Sequence, residues 1–138
     1  MELGIRPGEP IAILMGNEIE YVETFYACTK LGCPIALANY GYTEDELASV
    51  LRSCKTTTLI MVLGFDRYDY RPWLSSLKRN IPSLNHILMV DGADDDHKYT
   101  TPYEHVLEEG SRSSVVRSNH QAFVIMNLQF TSSSTGLP

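Results

Sequence analysis

The first 62 residues alternate between short continuous apolar runs and apolar residues at helical spacing. Continuous runs at residues 11–15, 34–37 and 56–62 predict three β-strands, the first of them covered on both faces. Helical spacing between these runs predicts two helices. An order of strand, helix, strand, helix, strand favours parallel neighbours joined by right-handed crossovers. The predicted fold class is therefore α/β, doubly wound, with a mostly parallel sheet and flanking helices.

Both predicted helices carry signals at their ends. Asn17 and Glu20 stand three residues apart, which predicts a capping box at the start of the first helix, and Gly32 fits its end. Thr43 and Glu46 predict a second capping box. The apolar residues expected to face the core are Ile19, Val22, Phe25, Tyr26 and Cys28 in the first helix, and Leu47, Val50, Leu51 and Cys54 in the second.

The pattern is weaker after residue 62. Short helices are predicted at residues 72–79 and 103–109, a strand at 86–90, and a polar loop at 92–101. A last strand, predicted at residues 123–130, leads into a segment of consecutive hydroxyl and glycine residues. That segment consists of Thr131, Ser132, Ser133, Ser134, Thr135 and Gly136.

Composition and charge limit the classes of function. A chain of 138 residues with 43% hydrophobic residues suits one compact domain. A net charge of -6 gives no electrostatic basis for binding nucleic acid or anionic lipid, since both need clustered Lys and Arg. The strongly apolar run at residues 59–65 is too short for a transmembrane segment. We therefore expect an intracellular protein, cytoplasmic or organellar, with no nucleic-acid partner.

Side chains that could suggest other chemistry have simpler interpretations. Cys28, Cys33 and Cys54 form no C-x-x-C pair, so we predict reduced thiols in the core. The acidic residues at 94–96 follow a glycine without calcium-loop spacing, which is typical of a solvated turn, and we assign no metal ligand. Four aromatic residues are expected to pack against the core rather than to stack on ligands: Tyr21, Phe25, Tyr26 and Trp73.

Common nucleotide and hydrolase motifs are absent from the sequence. No G-x-G-x-x-G follows the first strand, and neither G-x-x-x-x-G-K-(S/T) nor G-x-S-x-G occurs. The hydroxyl-rich segment at residues 131–136 remains. After a strand, it would lie at the carboxyl edge of a parallel sheet, where consecutive amides, hydroxyl donors and a glycine can hold phosphate. A serine-rich tail without a binding role is the alternative interpretation.

Two stretches resemble one family of enzymes. Residues 130–138, FTSSSTGLP, resemble the phosphate-loop signature of the AMP-binding, adenylate-forming enzymes, T-S-G-(S/T)-T-G-x-P-K-G. A second stretch resembles the N-terminal subdomain of that family in the same order: LGIRPGE at 3–9, AIL at 12–14, Asn17, EY at 20–21, Phe25, Ala27, KLG at 30–32, and YT and EL at 42–47. The resemblance covers roughly residues 1–62 and 120–138. NLQF at residues 127–130 is most similar to the acyl-CoA synthetase branch.

The resemblance implies a ligase that uses ATP and Mg²⁺ to turn a carboxylate into an acyl adenylate, and then passes a fatty acyl group to coenzyme A. It assigns residues 131–136 to the loop that holds the ATP phosphates. Ser133 stands where the family has glycine, and a left-handed conformation there would cost about 1 kcal/mol.

The sequence ends at Pro138, before the loop lysine of the family signature. We therefore expect residues 1–138 to form a partial N-terminal AMP-binding domain, an N-terminal fragment with no catalytic residue of its own. Such a fragment is expected to be inactive alone and to bind ATP, Mg²⁺ and coenzyme A weakly. The alternative is a non-catalytic α/β binding or interaction module with a degenerate phosphate loop.

Overall fold

The computed structural model describes residues 3–92, 98–112 and 125–130. The strands in these ranges are β1 (Ile11–Leu14), β2 (Ile35–Leu37), β3 (Thr58–Met61), β4 (Gly64–Phe65), β5 (Tyr68–Asp69), β6 (His86–Met89), β7 (Thr101–Pro102) and β8 (Asn127–Gln129). The helices are α1 (Ile19–Leu31), α2 (Glu44–Ser53), α3 (Leu74–Asn80) and α4 (Tyr103–Ser111), with a 3-10 turn at Arg71–Trp73.

Six strands form one parallel sheet in the order β7-β6-β3-β1-β2-β8. All four residues of β1 and all four of β3 are buried, because these central strands are covered on both faces. The predicted α/β class with a mostly parallel sheet is therefore confirmed. The predicted strands at 11–15, 34–37, 56–62 and 86–90 are present in shortened form.

Helix α2 follows the prediction closely. The Thr43 hydroxyl accepts a hydrogen bond from the Glu46 amide, and the Thr43 amide donates to the Glu46 carboxylate at 2.7 Å, so the capping box is complete. Leu47, Val50 and Leu51 are fully buried. Cys54 is only half-buried at the end of the helix.

Helix α1 departs from the prediction at its start. Its N-cap is Glu18, which makes no side-chain capping bond, so the predicted box of Asn17 and Glu20 is wrong. A capping box of Asn17 and Glu20 requires Asn17 as the N-cap. Because Glu18 is the N-cap, Glu20 is the second residue of the helix rather than the third, and it cannot complete the box. The end is as predicted, since Gly32 adopts the left-handed conformation with φ of 71° and its amide bonds back into the last turn.

The buried face of α1 also differs from the prediction. Its buried residues are Thr24 and Cys28, while Ile19, Val22 and Tyr26 are 66%, 46% and 62% exposed. The stripe and the packing role predicted for these three are therefore wrong. Apolar residues occur on several sides of α1, so their spacing does not single out one face. The buried Thr24 hydroxyl is satisfied by donating to the Tyr103 hydroxyl of α4, at 3.4 Å.

The remaining predictions concern packing and cysteines. Tyr21, Phe25 and Trp73 are partly buried and pack against the core, as expected. The three cysteines are free thiols, and Cys28 and Cys33 are buried. Burial raises the pKa of Cys28 to about 12, with the neighbouring Cys33 adding to the shift, so this thiol stays protonated and unreactive at neutral pH.

The described residues contain neither a metal-binding cluster nor a membrane-spanning helix. In residues 3–92, 98–112 and 125–130, no set of three or more His, Cys, Asp or Glu side chains could hold a metal ion. The acidic residues at 94–96 lie outside these ranges. No helix within the same ranges is long and apolar enough to cross a membrane.

Candidate functional site at the carboxyl edge of the sheet

The parallel arrangement brings the carboxyl ends of β1, β2, β3, β6 and β8 to one edge of the sheet. Ligands in open α/β folds bind at this edge, because the loops that follow the strands meet there. The loop after β1 comprises residues 15–18 and the loop after β2 comprises residues 38–43. Two cavities lie among these loops.

The first cavity lies between the end of β1 and the start of α1 and has a volume of about 460 Å³. It is lined by Met15, Gly16, Asn17, Glu18, Tyr21, Val22 and Tyr40. The second cavity, of about 300 Å³, lies between the ends of β2 and β8. It is lined by Leu37, Ala38, Asn39, Tyr40, Tyr42, Gln129 and Phe130. Tyr40 borders both cavities, so they are neighbours along the edge of the sheet.

The loop that carries Tyr40 is fixed from two sides. Within the loop, Asn39 accepts hydrogen bonds from the Gly41 amide at its side chain, at 2.8 Å, and from the Tyr42 amide at its carbonyl, at 3.0 Å. On the side of the core, the hydroxyl of the fully buried Tyr70 donates to the Tyr40 carbonyl at 2.7 Å. Burial raises the pKa of Tyr70 to about 12, so the hydroxyl keeps its proton and remains a donor over the physiological range.

The hairpin of β4 and β5 supports the same loop. The Phe65 ring packs on the Tyr40 ring with centroids 4.6 Å apart. It also covers Gly16, where a Cβ atom would overlap Phe65 Cε2, so only glycine fits beneath the ring. Sequence reasoning missed this hairpin, because its strands are two residues long. The available signal was the polar pair Asp66 and Arg67 between two aromatic residues.

Glu18 is the one carboxylate among the described residues that line the first cavity. Its Oε2 atom is buried and has no hydrogen-bond partner among the described residues. A half-buried carboxylate normally accepts several hydrogen bonds, since leaving an ionised oxygen unpaired is costly. Sequence reasoning assigned Glu18 no role, because a single glutamate before a helix carries no recognisable motif.

The predicted phosphate-binding residues Thr131, Ser132, Ser133, Ser134, Thr135 and Gly136 lie outside the described residues. The strand before them is described. β8 pairs in parallel with β2, with Leu37 opposite Gln129, and Gln129 and Phe130 line the second cavity. The carboxyl end of β8 therefore lies at the same edge of the sheet as the two cavities. Of the strand predicted at residues 123–130, residues 123 and 124 also fall outside the described ranges.

Comparison with known proteins identifies the family. The family model described as AMP-binding enzyme matches residues 1–138, the full length of the chain. The chain belongs to the AMP-binding enzyme family. The resemblance found in residues 1–62 and 120–138 is therefore confirmed, and none of the comparisons supports the alternative of a non-catalytic binding module.

Relatives within this family are acyl-CoA ligases and related proteins. The acyl-CoA ligase SID4 of Ajellomyces capsulatus is 32% identical over 98% of this chain and 24% of its own length. Long-chain fatty acid transport protein 6 of Homo sapiens is 28% identical over 97% of this chain and 21% of its own. This member of the AMP-binding enzyme family thus spans about a quarter of the length of the curated relatives it matches.

Solved structures support the fold. The crystal structure of the anthranilate CoA ligase AuaEII in complex with anthranoyl-AMP superposes with a TM-score of 0.75 and 24% identity, covering 97% of this chain and 23% of the other. Coronafacic acid ligase from Pectobacterium brasiliense gives a TM-score of 0.72 at 21% identity, over 93% of this chain and 24% of the other. The parallel sheet of this AMP-binding family member is therefore the fold found in adenylate-forming ligases.

Proposed function

We propose that this chain forms the part of an ATP-dependent acyl-CoA synthetase that bears the phosphate loop. The whole enzyme would activate a carboxylic acid of the fatty acid class. The observation that carries the proposal is the position of β8, whose carboxyl end enters the ligand-binding edge of the sheet next to β2. The hydroxyl-rich segment follows directly after Phe130, and the family model extends over it.

The proposed loop suits phosphate for a chemical reason. Ser and Thr hydroxyls and successive backbone amides all donate hydrogen bonds, and phosphate oxygens accept them. Gly136 would let the backbone approach the phosphates without a Cβ atom in the way. Ser133 replaces the glycine of the family signature, so we expect weaker phosphate binding than in a loop with glycine there.

The proposed reaction has two steps. A carboxylate oxygen of the acid attacks the α-phosphorus of ATP, forming an acyl adenylate and releasing pyrophosphate. The thiol of coenzyme A then attacks the acyl carbon, forming a thioester and releasing AMP, with the thiol proton passing to solvent. The loop at residues 131–136 would hold the phosphates in the first step and stabilise the charge that moves onto pyrophosphate. Mg²⁺ bound with ATP would neutralise part of the phosphate charge in this step.

The chain alone is expected to be inactive. Catalysis requires donors that stabilise the transition state, a bound metal and a positioned acid, and this chain supplies only part of the phosphate site. Exchange of labelled pyrophosphate into ATP with a long-chain fatty acid measures the first step directly. We expect no exchange above the level of buffer. Exchange at the rate of a full-length ligase would contradict the proposal.

Phosphate binding can be tested without turnover. Titration of ¹⁵N-labelled protein with pyrophosphate should shift the amide signals of Gln129 and Phe130 before those of α3. Ser133→Gly should tighten binding about fivefold if it removes about 1 kcal/mol of strain from the bound loop. Ser134→Ala should weaken binding, and Ser75→Ala, a matched change on the exposed side of α3, should leave it unchanged. Unaltered binding in both loop variants would overturn the assignment.

A further inference from the structure

The outer side of α1, opposite the buried Thr24 and Cys28, is largely apolar. Six exposed residues occupy this side as three neighbouring pairs at four-residue spacing: Val22 and Glu23, Tyr26 and Ala27, Lys30 and Leu31. Four of the six are apolar, and Val22, Tyr26 and Leu31 are 46%, 62% and 37% exposed. An exposed helix face is normally polar, so this row of side chains indicates a surface that contacts another protein surface.

The order of these six residues is self-complementary. Along α1 they read apolar, acidic, aromatic, small, basic and apolar. If a second α1 runs antiparallel to the first, with a two-fold axis between positions 26 and 27, then position 22 faces 31, 23 faces 30, and 26 faces 27. Apolar side chains then meet apolar ones, acid meets base, and a large ring meets a methyl group. A two-fold contact between identical chains requires complementarity of this kind.

The central ring of this surface is already held in place. Tyr26 packs edge-to-face on Phe25, with centroids 6.2 Å apart and planes at 88°, and Phe25 packs against the core. A ring that is held in this way loses little conformational freedom on binding, which makes tyrosine an effective anchor in interfaces. Ala27, which would lie opposite, is small enough to let the two helices approach closely.

The charges on this side of α1 favour an antiparallel contact. Glu23 lies in the first half of the helix and Lys30 in its last turn. An antiparallel pair places Glu23 of each copy beside Lys30 of the other and opposes the two helix dipoles. A parallel pair would place like charges opposite each other at both positions. The surface therefore specifies an orientation as well as a partner.

We propose that two copies of this chain associate through α1, antiparallel, about a two-fold axis between Tyr26 and Ala27. One helix face is small compared with the roughly 800 Å² that each partner buries in a stable interface, so the dimer is weak. We expect a Kd of roughly 0.1–1 mM. Association goes beyond the proposed function and needs no nucleotide, so its failure leaves pyrophosphate binding measurable on the same sample.

Sedimentation equilibrium of the full chain measures the association directly. Between about 10 µM and 2 mM, the average mass should rise from the monomer value of 15.5 kDa towards twice that value. A monomer over the whole range would overturn the proposal, and is the result expected if another part of a ligase normally covers α1. Species larger than a dimer would also contradict it, because a two-fold contact is closed.

Two matched substitutions locate the contact. Tyr26→Asp should raise the Kd at least about tenfold, because it removes the central ring and adds a charge at the axis. Ile125→Asp changes an apolar residue of similar exposure, 63% against 62%, that lies just before β8, and should change the Kd less than about twofold. The reverse result would place the contact at the edge strand β8 and overturn the proposal.

Charge reversal tests the register of the two helices. Glu23→Lys and Lys30→Glu should each raise the Kd about tenfold, because each puts like charges together at two symmetric positions. An equimolar mixture of the two variants should associate about as well as the unaltered chain, because every lysine then faces a glutamate. Glu23 also accepts a hydrogen bond from the Tyr103 hydroxyl, at 3.4 Å, and mixing would not repair a loss of stability from that bond. A mixture that associates no better than its components would overturn the proposal.

Discussion

Helices α1 and α2 were both predicted from apolar residues at helical spacing, yet they are held in the fold in different ways. Helix α2 buries Leu47, Val50 and Leu51 completely and leaves its polar side to solvent. Helix α1 buries Thr24 and Cys28 and leaves Val22 and other large apolar residues exposed. Apolar spacing therefore determines the orientation of a helix only when the opposite side is polar.

The two helices also differ at their ends. Helix α2 starts with a complete capping box and ends at Cys54 in a right-handed conformation. Helix α1 starts without a side-chain cap and ends at Gly32 in a left-handed one. Both helices are nevertheless closed at their ends by local hydrogen bonds, since Lys55 after α2 also has a positive φ, of 52°, and the amides of Lys55 and Thr56 bond back into the last turn. The two helices therefore differ at their starts, where only α2 has a side-chain cap.

The largest difference should come from apolar truncation. Leu51→Ala should lower the free energy of unfolding by about 2–5 kcal/mol, because it leaves a cavity in the core. Val22→Ala should change it by less than about 0.5 kcal/mol, because Val22 is largely exposed. Urea denaturation followed by circular dichroism measures both. Similar losses in the two variants would mean that the outer side of α1 is covered in solution.

The end of α1 gives the next effect. Gly32→Ala should lower the free energy of unfolding by about 1–2 kcal/mol, because alanine disfavours the left-handed conformation of φ 71°. Gly110 offers a matched control, since it lies inside α4 and a Cβ atom there meets nothing within 4 Å. Gly110→Ala should raise the free energy of unfolding by about 0.5–1 kcal/mol, because alanine favours a helix more than glycine does. Losses of equal size at both glycines would contradict the assigned role of Gly32.

The starts of the helices should differ by a smaller amount. Thr43→Ala should lower the free energy of unfolding by about 1 kcal/mol, because it removes the acceptor for the Glu46 amide. Asn17→Ala should have an effect below about 0.5 kcal/mol, because Asn17 is exposed and is not the cap of α1. Thermal unfolding of both variants separates the two cases. A loss at Asn17 equal to that at Thr43 would restore the capping box originally predicted there.

The smallest effect concerns pH. Hydrogen bonds from the Thr43 amide and hydroxyl lower the pKa of Glu46 below its ordinary value of 4.5. A lowered pKa means that the contribution to stability is present above about pH 4.5 and is lost as the pH falls through the folded value. The difference in unfolding temperature between the unaltered protein and Glu46→Gln should therefore shrink on acidification. If the difference in unfolding temperature grew at low pH, the pKa of Glu46 would be raised in the folded protein, contrary to this expectation.

Continuous apolar runs were the most reliable signal in this sequence. β1, β3 and β6 could be predicted because all but one of their residues, His86, are buried, so that each strand is a continuous run rather than an alternating one. The capping box of Thr43 and the end at Gly32 could be predicted because each depends on neighbouring residues alone. The buried face of α1 could not, because the hydroxyl of the buried Thr24 finds its partner in Tyr103, 79 residues away.

The candidate site was predictable only in part. The hydroxyl-rich segment was found because its residue types donate to phosphate and match a known signature. The cavity at Glu18 was not, because it depends on a loop and a hairpin that bring Tyr40 and Phe65 beside Gly16. Each of these residues is ordinary in the sequence, and only their proximity in the fold gives them a common role.

The pairing of β2 with β8 has a consequence for synthesis on the ribosome. Ile35 lies opposite Asn127, so this ladder joins segments more than 90 residues apart. At about 5–20 residues per second, translation of the intervening chain takes roughly 5–18 seconds. During that interval the outer side of β2 lacks its native neighbour while the earlier strands can already pair. The pairing of β8 with β2 therefore follows that of the earlier strands, and it forms the cavity between the ends of β2 and β8.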